Sequence, residues 1–243
     1  MRAVVTAGGR IDGEFAQIAG TRIKALVRVR GETMLERMLE ALRGAGVSEI
    51  AVVGGDDVRA ACGPLVERFV DESPSGSENL LRALAAWPDS GRLIYATSDL
   101  PYVTAGTIRD FLQRVGEGTL AVALAEHGAF TARFPGAPPS GIKLGRERVV
   151  NGGVFSIPQG ATAKLATIAT RFFEARKQPW RMASLVGPAV LFRFLSGRLR
   201  VRDLETMALH VLQVPAQALR GCAPELAFDV DTIDEYRYAC AHG

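Results

Sequence analysis

The feature that most constrains this chain is a rhythm. Short, continuously apolar runs alternate with longer stretches in which apolar residues recur every three or four positions. Residues 3–5, 49–53, 66–70, 93–97 and 120–124 read as strands, and strands buried on both faces carry such unbroken apolar runs in parallel sheets. Between them, MLERMLEAL follows a Thr33/Glu36 capping box and sets Met34, Leu35, Met38, Leu39 and Leu42 on one helical face. A second helix opens at Ser75 and Glu78 and runs to Trp87, with Leu80, Leu81, Leu84 and Trp87 inside and Pro88 as its stop; a third spans about 104–115. Parallel strands need crossovers, so the expected architecture is a three-layer α/β/α, Rossmann-like fold around a mostly parallel sheet.

Farther along, FPGAPPSG at 134–141 breaks the rhythm, residues 148–157 return to a strand around NGGVF, and helices follow at 161–176, 182–195 and 204–212. This group, about 159–213, reads as a C-terminal helical insertion. Thr232 and Glu235 cap a last helix. With 243 residues and 48% hydrophobic content, the chain suits one large domain, 1–243.

Chemistry enters at the end of the first strand, where TAGGR spans residues 6–10. Gly8 and Gly9 lack the Cβ atoms that would hold a backbone away from a bulky anion, and Arg10 and Lys24 add positive charge. Residues 8–23 read as a long loop, and Lys24 precedes an apolar strand at 25–29. The GxxxxGK[ST] and GxGxxG patterns are absent. Asp99 and the pair Asp229 and Asp231 also stand at the ends of apolar runs, which converge on one rim if the sheet is parallel. Carboxylates of this kind, with substrate phosphates, suffice for Mg²⁺.

Other classes recede. The balance of 29 basic and 26 acidic residues, net +3, gives no footprint for nucleic acid. Cys62, Cys222 and Cys240 form no CxxC pair, His127, His210 and His242 stand apart from other ligand types, and no GxSxG marks a hydrolase. The absence of an 18-residue apolar run and of a signal-peptide core before Gly8 leads to the expectation of a cytoplasmic protein without membrane association. Arg193 and Pro188 interrupt the apolar helix around 182–195, whose burial against the sheet or in a homodimer explains it better than a membrane surface.

Taken in order, TAGGR, KALVRVRGETMLERMLEAL, EIAVVGG, GSENLLRAL, TSDLP, NGGVFSI and DVDTIDEY resemble the MobA-like NTP transferase family with its GT-A fold, over nearly the whole chain. The resemblance implies an enzyme that moves a nucleotidyl group from an NTP to a small-molecule acceptor, commonly a phosphate, and releases pyrophosphate. It implies that Gly8 and Gly9, with Thr6 and Ala7 before them, line the substrate, that Arg10 faces the leaving pyrophosphate and that Lys24 reaches the transferring phosphate. It likewise implies that Asp99 and Asp231 hold Mg²⁺, that Gly54 and Gly55 lie near the base, that Ser77 and Asn79 contact base or ribose, and that Asn151, Gly152 and Gly153 form an acceptor segment. The loop between Gly9 and Lys24, with Asp12 and Glu14, is longer than the family pattern. A GT-A glycosyltransferase and a nucleotide-binding module without turnover are the alternatives; the first usually carries DxD where this chain has SDLP.

Overall fold

The computed structural model describes residues 1–88, 91–175 and 187–242. In chain order its strands are β1 (Arg2–Thr6), β2 (Arg28–Val29), β3 (Glu32–Thr33), β4 (Glu49–Gly54), β5 (Arg68–Asp71), β6 (Arg92–Thr97), β7 (Leu120–Glu126), β8 (Ile142–Leu144), β9 (Glu147–Pro158) and β10 (Ala216–Leu219). The helices are α1 (Gly13–Ala19), α2 (Met34–Gly44), α3 (Asp56–Cys62), α4 (Gly76–Ala85), α5 (Ala105–Arg114), α6 (His127–Arg133), α7 (Ala161–Ala175), α8 (Pro188–Leu195), α9 (Val201–Leu212) and α10 (Ile233–Ala241).

Seven strands line up as β10-β7-β9-β6-β1-β4-β5, and β8 pairs with β9. Among the described residues β9 alone runs against the others, pairing antiparallel with β6, β7 and β8. The expected mostly parallel sheet and three layers are therefore present. Ala3, Val5, Ile50, Val52, Ile94 and Ala96 face a core closed by α2 and α5. Val4, Ala51, Val53 and Leu93 face the opposite core, where Ala83, Leu84 and Trp87 of the α4 region pack with Ile157 and Ala161.

Local sequence signals account for most boundaries. Thr33 and Glu36 form the capping box of α2, whose five apolar-face residues are all buried, and Thr232 and Glu235 form that of α10. Ser75 departs from expectation: it precedes α4 without capping it, because its hydroxyl bonds Ser77, while Ser73 takes Glu78 and the Asn79 side chain instead.

Three other expectations are corrected. The long loop after Gly9 contains α1, because Phe15 is buried against Tyr236 and Gly20, at φ 69°, ends the turn. Residues 25–29 do not join the sheet; a 3₁₀ turn over Lys24–Leu26 is closed by the Val27 N–H on the Lys24 carbonyl and leads into the β2–β3 hairpin. No strand forms before Asp229. A 3₁₀ turn, Pro224–Leu226, gives way to irregular chain pinned just beyond the end of β6 by the Val230 N–H on the Asp99 carbonyl. Of the expected helix at 182–195, residues 182–186 lie outside the described residues, and α8 begins at Pro188.

Candidate functional site

The strand ends β1 and β6, lying side by side in register, bring the TAGGR turn next to Asp99. Thr6 closes β1 with its hydroxyl 3.0 Å from the Tyr95 hydroxyl, and Ala7 is fully buried with its N–H on the Val53 carbonyl. Beyond them opens a cleft of about 630 Å³ whose wall includes Thr6, Gly8, Gly9, Arg10, Lys24, Asn79 and Asp99. The Lys24 N–H donates to the Gly9 carbonyl at 3.0 Å, so the lysine is laid across the glycine turn from fifteen residues' distance in sequence by α1 folding away between them.

Lys24 is the hub of the charge. Its Nζ lies 2.5 Å from Asp99 Oδ2 and also bonds Asp231 Oδ1. Burial works against the ammonium, but the two carboxylates outweigh it and hold the Lys24 pKa above its ordinary value. Asp229 joins from the same pinned segment. Burial, then the charges of Asp99 and Asp231, push its carboxyl up to about 6. Three acids around one lysine leave this corner short of positive charge, and Asp99 Oδ1 is buried without a hydrogen-bond partner.

These facts bear on a divalent cation. Among the described residues no preformed group of three or more metal-ligating side chains exists. Magnesium does not need one, since one or two carboxylates plus phosphate oxygens and water complete its shell. The donor set of Asp99 and Asp231, with an orphaned buried carboxylate oxygen, fits such an ion.

Several expected residues stand elsewhere. Gly54 is buried, and a Cβ there would come within 2.7 Å of Val58, so close strand-to-helix packing is reason enough for glycine. Ser77 bonds Ser75 and does not border the cleft. Gly152 and Gly153 fall where β9 slips against β7 between Val122 and Leu124; Cβ atoms would meet Ala123 and the Leu226 carbonyl at the first, and Thr97 and Leu100 at the second. Asn151 borders a different cavity. Asp12 precedes α1, and Glu14 pairs with Arg237 at 2.6 Å, tying α1 to α10.

Glu72 was not foreseen. It follows β5, its carboxylate pairs with Arg10, and it fills the space that Cβ atoms on Gly8 and Gly55 would claim, at 2.6 Å for the latter. Its signal was the same as that of Asp99, an acid at the end of an apolar run, but on a shorter strand.

A family model described as MobA-like NTP transferase domain matches residues 3–224. A hypothetical transferase from Thermus thermophilus superposes with a TM-score of 0.81 at 32% identity, over 97% of this chain and 98% of that one. The manganese complex of Rv0371C from Mycobacterium tuberculosis has a TM-score of 0.53 at 19% identity, over 100% of this chain and 98% of that one. A curated relative, the bifunctional protein GlmU of Alkaliphilus oremlandii, is 28% identical over 116 residues, covering 44% of this chain and 24% of its own. The chain thus spans about a quarter of the length of the curated relatives it matches. No described helix is long and apolar enough to cross a membrane.

Proposed function

The chain belongs to the MobA-like NTP transferase family, and from that premise we propose that it acts as one domain, moving an NMP group from an NTP to a small phosphorylated acceptor with Mg²⁺ and releasing pyrophosphate. The observation that carries this reading is the Lys24 hub: a half-buried ammonium shared by Asp99 and Asp231, directly beside the Gly8–Gly9 turn. Asp99 and Asp231 would hold the metal, whose charge would offset that of the phosphates. With their charge offset in this way, Asp99, Asp229 and Asp231 would crowd one another less, and Lys24 would be free to donate to the transferring phosphate.

Arg10 is 49% exposed at its side chain and, among the described residues, its guanidinium bonds Glu72 and the Gly8 carbonyl, so it can turn toward the leaving pyrophosphate. The backbone of Gly8 and Gly9 borders the same space. Asn79, with its side chain fixed by the Ser73 N–H and carbonyl, is the best-placed contact for base or ribose. No protein nucleophile is required. Phosphoryl-type transfer needs alignment and charge neutralisation, which these groups supply.

Pyrophosphate exchange tests the reading. With authentic nucleotide-linked product, Mg²⁺ and labelled pyrophosphate, label is expected in the NTP. Release of a nucleoside diphosphate as a sugar moves to an acceptor, without exchange, would instead establish glycosyl transfer. NTP-dependent thermal stabilisation without any exchange would leave a binding module.

A further inference from the structure

Beside the charged cleft, on the same face of the sheet, lies a second cavity of about 650 Å³. Its floor is Tyr95 of β6, Phe155 of β9 and Val122 of β7, adjacent across the strands because Tyr95 and Val122 both pair with Phe155. Its walls come from α7 and α9, through Leu165 and Met207 among others. The opposite sheet face is closed by α2 and α5, whereas here the helices leave a gap that the sheet's own apolar side chains line. Among the described residues Glu205 is the one ionisable acid or base on the wall apart from the Tyr95 phenol, and its carboxylate accepts from the Ala218 N–H.

The two cavities are continuous: Leu80, Tyr95 and Thr97 border both. Whatever occupies the second therefore meets the first at the end of β6, two residues before Asp99. Among the described residues no cation lines the second cavity, so an anionic body such as a sugar bisphosphate meets no neutralising charge from them, while an apolar body gains by leaving water. The volume is that of a pocket for one small molecule.

We propose, resting on the nucleotidyl-transfer reading above, that the acceptor is an amphiphile: an alkyl, prenyl or aryl body in the apolar cavity, ended by a phosphate monoester at the Tyr95–Thr97 junction. A monoester oxygen attacks the α-phosphorus of the NTP, a new P–O–P bond forms as the α–β bond breaks, and pyrophosphate carries away the electron pair. The monoester dianion has no proton to lose at that oxygen, so the step balances without a base.

The experiment has a binding arm and a turnover arm. In the first, the fluorescent probe 1-anilinonaphthalene-8-sulfonate, an aromatic body with one anionic group, is expected to bind the wild-type chain and to be displaced by octyl phosphate but not by glycerol 3-phosphate. Ala208→Trp and Ala169→Trp, which fill the cavity from different helices, are expected to abolish probe binding while NTP-dependent thermal stabilisation persists. Phe192→Ser with Phe194→Ser, on the exposed side of α8, controls for adventitious surface binding and should leave the probe in place. In the second arm, pyrophosphate release is followed across butyl, hexyl and octyl phosphate, and kcat/KM is expected to rise by roughly four-fold per added methylene. The inference is overturned if the probe does not bind, if only the α8 variant removes it, or if glycerol 3-phosphate is the better acceptor. Loss of NTP binding and of pyrophosphate exchange in the wild type would overturn the nucleotidyl-transfer reading instead, and the binding arm would still judge the cavity.

Discussion

Two neighbouring cavities of nearly equal size, about 630 and 650 Å³, differ in almost everything else. The first is walled by strand ends and turns, and its chemistry is charge: Arg10, Lys24, Glu72 and Asp99 crowd together with their partners already chosen. The second is walled by the middles of strands and by helix sides, and its chemistry is apolar surface. Strand ends expose backbone N–H groups and tolerate polar side chains, while strand middles are paired on both edges and offer only side chains. One sheet face thus supplies an electrostatic compartment and an apolar one, and the point where they meet is set by the length of β6.

If charge is what the first cavity contributes, the largest effect belongs to its hub. Lys24→Ala is expected to lower kcat roughly 100- to 1000-fold, the usual cost of one preorganised donor, with a smaller change in KM. Steady-state pyrophosphate release gives both constants. An effect confined to KM would make Lys24 a uniform binder and blur the contrast, since a mere binder could as well sit in the second compartment.

A smaller effect concerns stability. Asp229 has its pKa raised to about 6 from 3.8 by burial and by Asp99 and Asp231. Between those values the folded chain keeps a proton that the unfolded chain has released, so stability falls as pH rises through the window from about 4 to 6 and stays lower above it. Asp229→Asn is therefore expected to raise stability at pH 7 to 8 by on the order of 1 kcal/mol, or about 2–4 °C, in chelator-treated protein, and to have little effect near pH 4. Melting curves across that range check it. A gap between variant and wild type that does not change with pH would show that like charge is not what strains this corner.

The smallest effect sharpens the comparison inside the first cavity. Glu72→Gln removes a carboxylate from the phosphate side of the cleft and releases Arg10, so the KM for NTP is expected to fall by about two- to five-fold, the scale of a partly exposed ion pair. A rise in KM would assign the Glu72 carboxylate to recognition of the base.

Much of the fold could be read from the chain, and the reason is local. β1 and β4 are buried on both faces and so appear as unbroken apolar runs, and the boxes at Thr33 and Thr232 announce their helices. β10 and β8 were missed because AQAL and IKL are too short and too mixed to carry a period. The Asp229–Asp231 segment reads as a strand end because Ala227, Phe228 and Val230 are apolar, but those three are buried in the aromatic cluster around Phe228 rather than by strand pairing, and Asp231 stays exposed. Among site residues, Gly8, Gly9, Arg10, Lys24, Asn79 and Asp99 do share one cleft, whereas Gly54, Gly152 and Gly153 are glycines for packing.

What the sequence determined by itself was carried by neighbours along the chain: apolar runs, the caps at Thr33 and Thr232, the turn at Gly8 and Gly9, and the place of Asp99 just beyond a strand end. Tertiary structure alone decided the properties that depend on distance in space. Asp231 reaches Lys24 across 207 residues because one backbone hydrogen bond pins its segment to Asp99. Glu72 meets Arg10 because two glycines leave room for it. Among the described residues, the apolar cavity exists because α7 and α9 approach the sheet without closing over Tyr95 and Phe155, and no local pattern encodes a gap between elements.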